Sequence, residues 1–147
     1  MDWKGGSLTS DAGAVLLRKT DRRIGLIDAL SSCIPDPRNP DWIIHEQRTL
    51  LSQRVFGIAL GYEDLNDQQT LREDPLFQVV TERGVKKDQP LGSPPTLCRL
   101  ENRVGREAAF LMNAVFVEQF LRSHAPPPTP PRAALLLRPP QYSQLRF

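Results

Sequence analysis

Apolar residues upstream of residue 125 recur at intervals of three and four, and no segment of useful length alternates apolar and polar residues. Intervals of three and four place side chains on one side of a helix, whereas alternation is typical of a strand. Residues suited to helix starts precede most of these segments. We therefore predict an all-α fold, a compact multi-helix body. The first helix is expected to follow Ser10 or Asp11, and a second to follow Asp21. Further helices are expected to begin at Asp41, at Asp74-Pro75 and at Ser93-Pro94, and the last to run from about Arg106 to Ser123.

Two of these helices carry long apolar stripes. The helix that opens at Asp41 is predicted to be the longest, and Gly61 is suited to end it in the left-handed conformation. Its core-facing stripe is expected to comprise Ile44, Leu51, Val55, Ile58, Ala59 and Tyr62. The last helix places Phe110, Ala114, Val117 and Leu121 along one stripe. The helix that starts at Pro75 is expected to end at Gly84.

Proline divides the chain into a predicted body and a predicted tail. Seven of the fourteen prolines fall between Pro126 and Pro140. Proline lacks a backbone donor and fixes its own dihedral angle, so this stretch cannot continue a helix. We expect residues 1–125 to form the helical region and residues 126–147 to form a Pro/Arg-rich extended or disordered tail. The segment from Pro35 to Pro40, with three prolines, is predicted to be a rigid connector.

The net charge of +2 does not by itself indicate a nucleic-acid partner. Arg132, Arg138 and Arg146 are the only charged residues after Ala125, and they leave the rest of the chain at −1. Cys33 and Cys98 lack the paired spacing of a zinc site and are expected to be reduced thiols. No stretch approaches the roughly 20 apolar residues of a membrane span, so we expect a cytoplasmic location and no membrane contact.

The segment from Ser93 to Arg106 carries the candidate binding surface. At helical spacing, Arg99, Arg103 and Arg106 fall within one narrow sector, with Thr96 at its N-terminal end and with leucines opposite. The helix from Pro75 to Arg83 is a candidate scaffold, which would make a helix-turn-helix-like unit that presents arginines to DNA. The alternative is a solvated helix face whose arginines pair locally with Glu101 or Glu107.

The chain shows no convincing catalytic or metal-binding pattern. The acidic residues between Glu63 and Asp74 do not have the spacing of a calcium loop and are better explained as helix caps and solvated side chains. His45 and His124 are isolated from other ligand residues along the sequence. We expect no catalytic residue, no metal and no cofactor in this chain.

Several short blocks, in order over about residues 8–125, resemble the N-terminal part of bacterial insertion-sequence transposases of the DDE group. The Gly61 to Asp67 block is the most specific of them. The blocks are Leu8-Thr9-Ser10-Asp11-Ala12-Gly13, Cys33-Ile34-Pro35-Asp36-Pro37-Arg38, Gln53-Arg54-Val55, Gly61-Tyr62-Glu63-Asp64-Leu65-Asn66-Asp67, Leu71-Arg72-Glu73-Asp74-Pro75 and Pro95-Thr96-Leu97-Cys98-Arg99-Leu100-Glu101-Asn102.

The resemblance implies a role in DNA transposition. Such enzymes use three carboxylates on a ribonuclease-H-like domain to hold two divalent metal ions such as magnesium, and their N-terminal helical region is taken to contact transposon ends. Family members continue into a strand that bears the first catalytic aspartate, whereas this chain has no acidic residue after Glu118. We therefore expect a truncated fragment that binds transposon-end DNA and is inactive alone.

Two other interpretations remain open. The helices could form an interaction module that packs on a catalytic domain or on a second protomer and has no DNA affinity. The chain could also be a free-standing helix-turn-helix regulator that inhibits full-length transposase by occupying transposon ends.

Overall fold

The computed structural model describes residues 12–81 and 90–124, and these residues form seven α-helices and no β-strand. The all-α prediction is confirmed. The predicted features at Ser10, Asp11 and Gly84 and the tail at 126–147 lie outside the described residues. The helices are α1 (Ala14–Ile24), α2 (Leu26–Ser32), α3 (Gln47–Ala59), α4 (Gln68–Leu71), α5 (Pro75–Val80), α6 (Pro94–Arg103) and α7 (Arg106–His124), with 3-10 turns at Pro40–Trp42 and Leu65–Asp67.

The boundary between the first two helices falls at Gly25 rather than at Asp21. Gly25 has a φ of 67°, a left-handed conformation that costs little only without a Cβ. Asp21 lies inside α1 and is buried, and its Oδ1 accepts a hydrogen bond of 2.8 Å from the backbone N–H of Ile27. Asp21 therefore does serve a helix start, although that helix begins at Leu26 and not directly after Asp21.

The prediction that Asp41 opens the longest helix is wrong. Asp41 lies in the 3-10 turn Pro40–Trp42, where Asn39 Oδ1 accepts from the Asp41 N–H at 3.1 Å. The backbone is extended again at Ile43, and α3 begins only at Gln47. The residues that suit a helix start therefore begin only a turn of three residues. The longest described helix is α7, with 19 residues.

The predicted stripe on α3 is also largely wrong. Ile44 precedes the helix and is exposed, Ile58 and Ala59 are exposed, and only Leu51 of the predicted set is fully buried. Because α3 packs on α2 and on α6, its buried residues are spread around the helix rather than along one stripe. They are Leu50, Leu51, Ser52, Gln53, Phe56 and Gly57.

A polar side chain links three segments at the centre of the core. The amide of Gln53 is fully buried and donates to Gln68 Oε1 at 3.1 Å and to the Gly92 carbonyl at 2.9 Å. A Cβ at Gly92 would lie 2.5 Å from Leu50 Cδ2, so a larger residue at this position would force the Leu50 side chain to shift. This approach fixes where the chain enters α6.

Residues that start or end a helix were predicted more reliably than the buried sides of helices. Asp74 caps α5 through a 2.8 Å hydrogen bond from the Phe77 N–H to Asp74 Oδ1, with Pro75 at the first helical position. Gly61 has a φ of 96° just after α3, as predicted. Both predictions are confirmed because these interactions are made within three or four residues.

The main packing contacts of α6 are not made with α5, the predicted scaffold. The helix packs on α3 and on the turn Leu65–Asp67, whereas α5 packs mainly on α1. Leu97 and Leu100 form the buried side of α6. The helix that supports α6 is therefore α3, which lies far from it in the sequence. A helix-turn-helix unit would instead pair two helices that are neighbours in the sequence.

Candidate nucleic-acid interface

The orientation of α6 is set at its first turn and on its buried side. Ser93 precedes Pro94 at the helix start, and the Ser93 and Thr96 hydroxyls lie 3.0 Å apart in a hydrogen bond. Leu97 and Leu100 are 0% and 2% exposed. Because these leucines face the core, Arg99 on the other side of the helix is exposed to solvent.

The four predicted binding residues do not form one continuous surface. The helix ends at Arg103, and Val104 and Gly105 interrupt it before α7 begins at Arg106. The sector shared on one helix therefore comprises only Thr96, Arg99 and Arg103. Arg106 is exposed, but it belongs to the next helix, so its position relative to Arg99 depends on the break and not on helical spacing.

Arg99 and Arg103 have different surroundings. Arg103 donates to Asp36 Oδ1 at 2.7 Å, and its side chain is only 21% exposed. Among residues 12–81 and 90–124, no side chain forms an ion pair with Arg99. Arg99 is thus the guanidinium of α6 that is available to a ligand, and Arg103 anchors the helix to the proline-containing connector.

Asp36 lies at the centre of a three-residue ion-pair cluster. Arg38 donates to Asp36 through Nε at 2.7 Å and through a terminal nitrogen at 2.6 Å, and Arg103 adds its own bond. The bonds from Arg38, assisted by the bond from Arg103, hold the pKa of the Asp36 carboxyl well below its usual range, although partial burial opposes this. Asp36 raises the pKa of Arg38 in return. The cluster fixes the connector against the end of α6.

Asp36→Asn should weaken this cluster and lower the free energy of unfolding by about 1 kcal/mol at neutral pH. Since the pKa of Asp36 is lower in the folded state than in the unfolded chain, its stabilisation is complete above about pH 5 and is lost as the pH falls below about 4. Urea unfolding of both proteins between pH 7 and pH 2.5 checks this prediction. A stability difference that does not shrink in acid would contradict it.

Glu101, one of the two partners named in the alternative interpretation, is engaged elsewhere. Arg54 Nε on α3 donates to Glu101 Oε1 at 2.5 Å, and its NH1 lies 3.4 Å from the Tyr62 carbonyl oxygen. This bridge joins α6 to α3 and to the segment after Gly61. Glu101 therefore orients the helix and leaves Arg99 unneutralised.

A groove of about 510 Å³ lies between α6 and residues 38–45. The far wall of the groove was not predicted from the sequence, and there Trp42 is 84% exposed and Ile44 is 76% exposed. A signal did exist, because Trp42 follows the connector Pro35 to Pro40 closely and is a large aromatic residue outside the predicted apolar stripe. The lining residues are Arg38, Trp42, Ile43, Ile44, His45, Leu50, Thr96, Arg99, Asn102 and Arg103.

Comparison with protein families shows which family the chain belongs to. The family described as "Transposase DDE domain group 1" matches residues 1–131. The chain belongs to this transposase family. The family prediction made from the short sequence blocks is confirmed, and the family membership supports a transposition-related function. No curated protein and no solved structure gives a significant match.

The metal ions that DDE transposases use do not fit the described part of this family member. No three His, Cys, Asp or Glu residues come together there in a group that could hold a metal. Asp21, Asp64 and Asp74 accept backbone hydrogen bonds at turns or helix starts, and Asp36 is bound by two arginines. His124 packs on the Phe120 ring with centroids 4.1 Å apart.

None of the described helices of this transposase-family chain is long and apolar enough to cross a bilayer.

Proposed function

We propose that this member of the transposase family binds DNA at transposon ends, with the exposed side of α6 as the contact surface. The observation that carries the proposal is Arg99, an exposed arginine without an ion-pair partner in the described residues, on a helix held firmly from behind. An arginine so placed can contact a phosphate or the acceptor edge of a guanine.

Contacts on several sides hold α6 rigidly, and this rigidity favours a binding role for its exposed side over a side that only contacts solvent. Leu97 and Leu100 hold the buried side, the bridge from Arg54 to Glu101 holds the middle, and Arg103 holds the C-terminal end to Asp36. A helix fixed in this way loses little conformational freedom when it contacts DNA. Arg106, exposed just beyond the helix, adds a second positive charge for a neighbouring phosphate.

Strand cleavage is not part of the proposed function of this chain. Among the acids of the described region, Asp64 and Asp74 cap a turn and a helix, and Asp36 and Glu101 are bound by arginines. We expect the catalytic carboxylates to be supplied by other residues or another chain. Incubation with magnesium and transposon-end duplex should then give no nicked or joined strands. Metal-dependent cleavage that is lost in Asp64→Asn would contradict this expectation.

Equilibrium binding to a labelled duplex tests the proposal. The whole chain is titrated against the terminal repeat of its own element and against a shuffled duplex, at several salt concentrations. We expect tighter binding to the terminal repeat, and affinity for both duplexes should fall with added salt as phosphate-bound cations are released. Absence of binding to either duplex at low salt would overturn the proposal.

The structure supports a second candidate function, self-association through α7. The outer side of this helix exposes Phe110, Val117 and Leu121 at 74%, 53% and 62%, and Ala114 lies between them. Their intervals of four, three and four match the seam of a coiled coil. In a parallel pair, Asn113 of one copy would lie beside Glu118 of the other, which suits a hydrogen bond across the seam. The occupant that fits best is a second copy of this chain.

Val117→Glu should abolish this association. Phe116→Glu provides a matched control, because Phe116 is 51% exposed on the same helix but lies off the seam. Sedimentation equilibrium should show a concentration-dependent dimer for the parent and for the control, and a monomer for Val117→Glu. A parent that stays monomeric at the highest concentration would contradict this second candidate.

A further inference from the structure

We propose that the groove between the turn Pro40–Trp42 and α6 binds one unpaired nucleobase of a DNA end, stacked on the indole of Trp42. The inference rests on the proposed DNA-binding function and adds to it a preference for DNA whose end is not fully paired. The groove lies beside Arg99, so a strand held by that arginine can place a terminal base there.

The exposure of Trp42 is the first observation. Tryptophan is highly buried on average in folded proteins, yet this side chain is 84% exposed. Its backbone is firmly held, because the Trp42 N–H donates to the Asn39 carbonyl at 3.1 Å and Asn39 Oδ1 caps the same turn. An aromatic ring presented on a fixed turn can stack with any base, since every base has a π-face.

The support beneath the turn is the second observation. Arg38 donates to the His45 carbonyl at 2.9 Å while it also binds Asp36, so residues 36–45 are closed into a loop. Arg103 ties this loop to the end of α6 through the same carboxylate. The two walls of the groove are therefore held at a fixed separation, which lowers the entropy cost of receiving a ligand.

The chemistry of the opposite wall favours a nucleotide. Arg99 supplies a positive charge for a phosphate, and Asn102 supplies an amide, the group that pairs with two atoms of adenine. The Asn102 amide nitrogen donates only a weak bond to Cys98 Sγ at 3.4 Å among the described residues. Ile43, Ile44 and Leu50 make the floor and sides apolar, as a stacked base requires.

The dimensions point to a single base and not to a duplex. The volume of about 510 Å³ falls in the range of roughly 300–1,000 Å³ that small-molecule sites occupy. A duplex would meet the convex outer side of α6, while a groove of this volume has room for one unpaired nucleotide between the helix and the turn. The two contacts are adjacent, and one DNA end can make both.

Trp42 fluorescence gives a direct test. The chain has two tryptophans, Trp3 and Trp42, so Trp3→Phe leaves Trp42 as the only emitter. This protein is titrated with a blunt duplex, with the same duplex carrying a three-nucleotide overhang, and with a short single strand. We expect the overhang and the single strand to quench Trp42 emission and the blunt duplex to leave it nearly unchanged. The overhang should also bind about tenfold more tightly than the blunt end.

Two variants at Trp42 test whether stacking on the indole causes the preference for an overhanging end. Trp42→Ala should remove the tenfold preference and leave blunt-duplex binding intact, and Trp42→Tyr should keep most of the preference because its ring still stacks. Circular dichroism should show unchanged helicity for both variants, since the side chain is exposed. Equal affinity for blunt and overhanging ends, without quenching, would overturn the inference while the proposed function stands. Failure of the blunt duplex to bind would overturn the proposed function instead.

Discussion

Leu97→Ala should lower the free energy of unfolding by about 2–5 kcal/mol, the largest stability effect that we expect from one substitution in α6. Leu97 is 0% exposed and packs where α6 meets α3, so alanine would leave a cavity that the surrounding helices cannot easily fill. Gly92 already brings the chain close to Leu50 at this point, which limits local collapse. Urea unfolding followed by far-ultraviolet circular dichroism measures the loss.

Cys98→Ala is the matched control for this prediction. Cys98 is the next residue on the same helix, but it is exposed, and its replacement should change stability by less than about 0.5 kcal/mol. If both variants lost the same stability, the assignment of the buried side of α6 would be wrong. A stable Leu97→Ala protein would also contradict the packing of α6 on α3.

Reversal of charge at Arg99 and Arg106 should weaken binding to duplex DNA by at least about 100-fold at physiological salt. Each change removes an attraction to a phosphate and introduces a repulsion at the same place. Both side chains are exposed, so Arg99→Glu together with Arg106→Glu should leave helicity and thermal stability nearly unchanged. Fluorescence anisotropy with a labelled terminal-repeat duplex gives the affinity.

Lys19→Glu together with Arg23→Glu is the control for this loss. It changes the net charge by the same amount, but both residues lie exposed on α1, which packs mainly on α5 and α2. We expect this variant to bind within a few-fold of the parent protein. An equal loss in both double variants would mean that total charge, and not the surface of α6, determines binding.

Sequence reasoning succeeded where structure is decided within a few residues. Asp74 before Pro75 and Ser93 before Pro94 mark helix starts because the first residue of each pair flanks the helix and proline suits its first turn. It failed at Asp41, where a similar local signal began only a 3-10 turn. The difference lies in the residues beyond the turn, because Ile43 returns to an extended backbone and no helix-forming face continues from it.

The apolar stripes were misleading for a different reason. A stripe predicts which side of a helix is buried only if one neighbour covers it, and α3 is covered from two directions. The stripe of α7 exists, but Phe110 and Leu121 on it are exposed, while the partly buried Met112 and Val115 pack on the core from another side. Periodicity identifies an apolar face without saying what covers it.

The candidate site could be predicted only in part. The sequence placed Arg99 correctly on the exposed side of a helix, because the spacing of Leu97 and Leu100 sets the opposite side as the buried one. It could not show that Arg103 is bound to Asp36, since these residues are 67 positions apart and no local pattern connects them. For the same reason it missed Trp42 as the facing wall of the groove.

The salt dependence of duplex binding by Arg99→Ala tests the central claim most directly. The logarithm of the binding constant is plotted against the logarithm of salt concentration for the parent, for Arg99→Ala and for Lys19→Ala. If Arg99 holds a phosphate, Arg99→Ala should bind more weakly and its slope should be smaller by about one unit, while Lys19→Ala keeps the slope of the parent. An Arg99→Ala protein with the affinity and slope of the parent would contradict the assignment of α6 as the DNA-contacting surface.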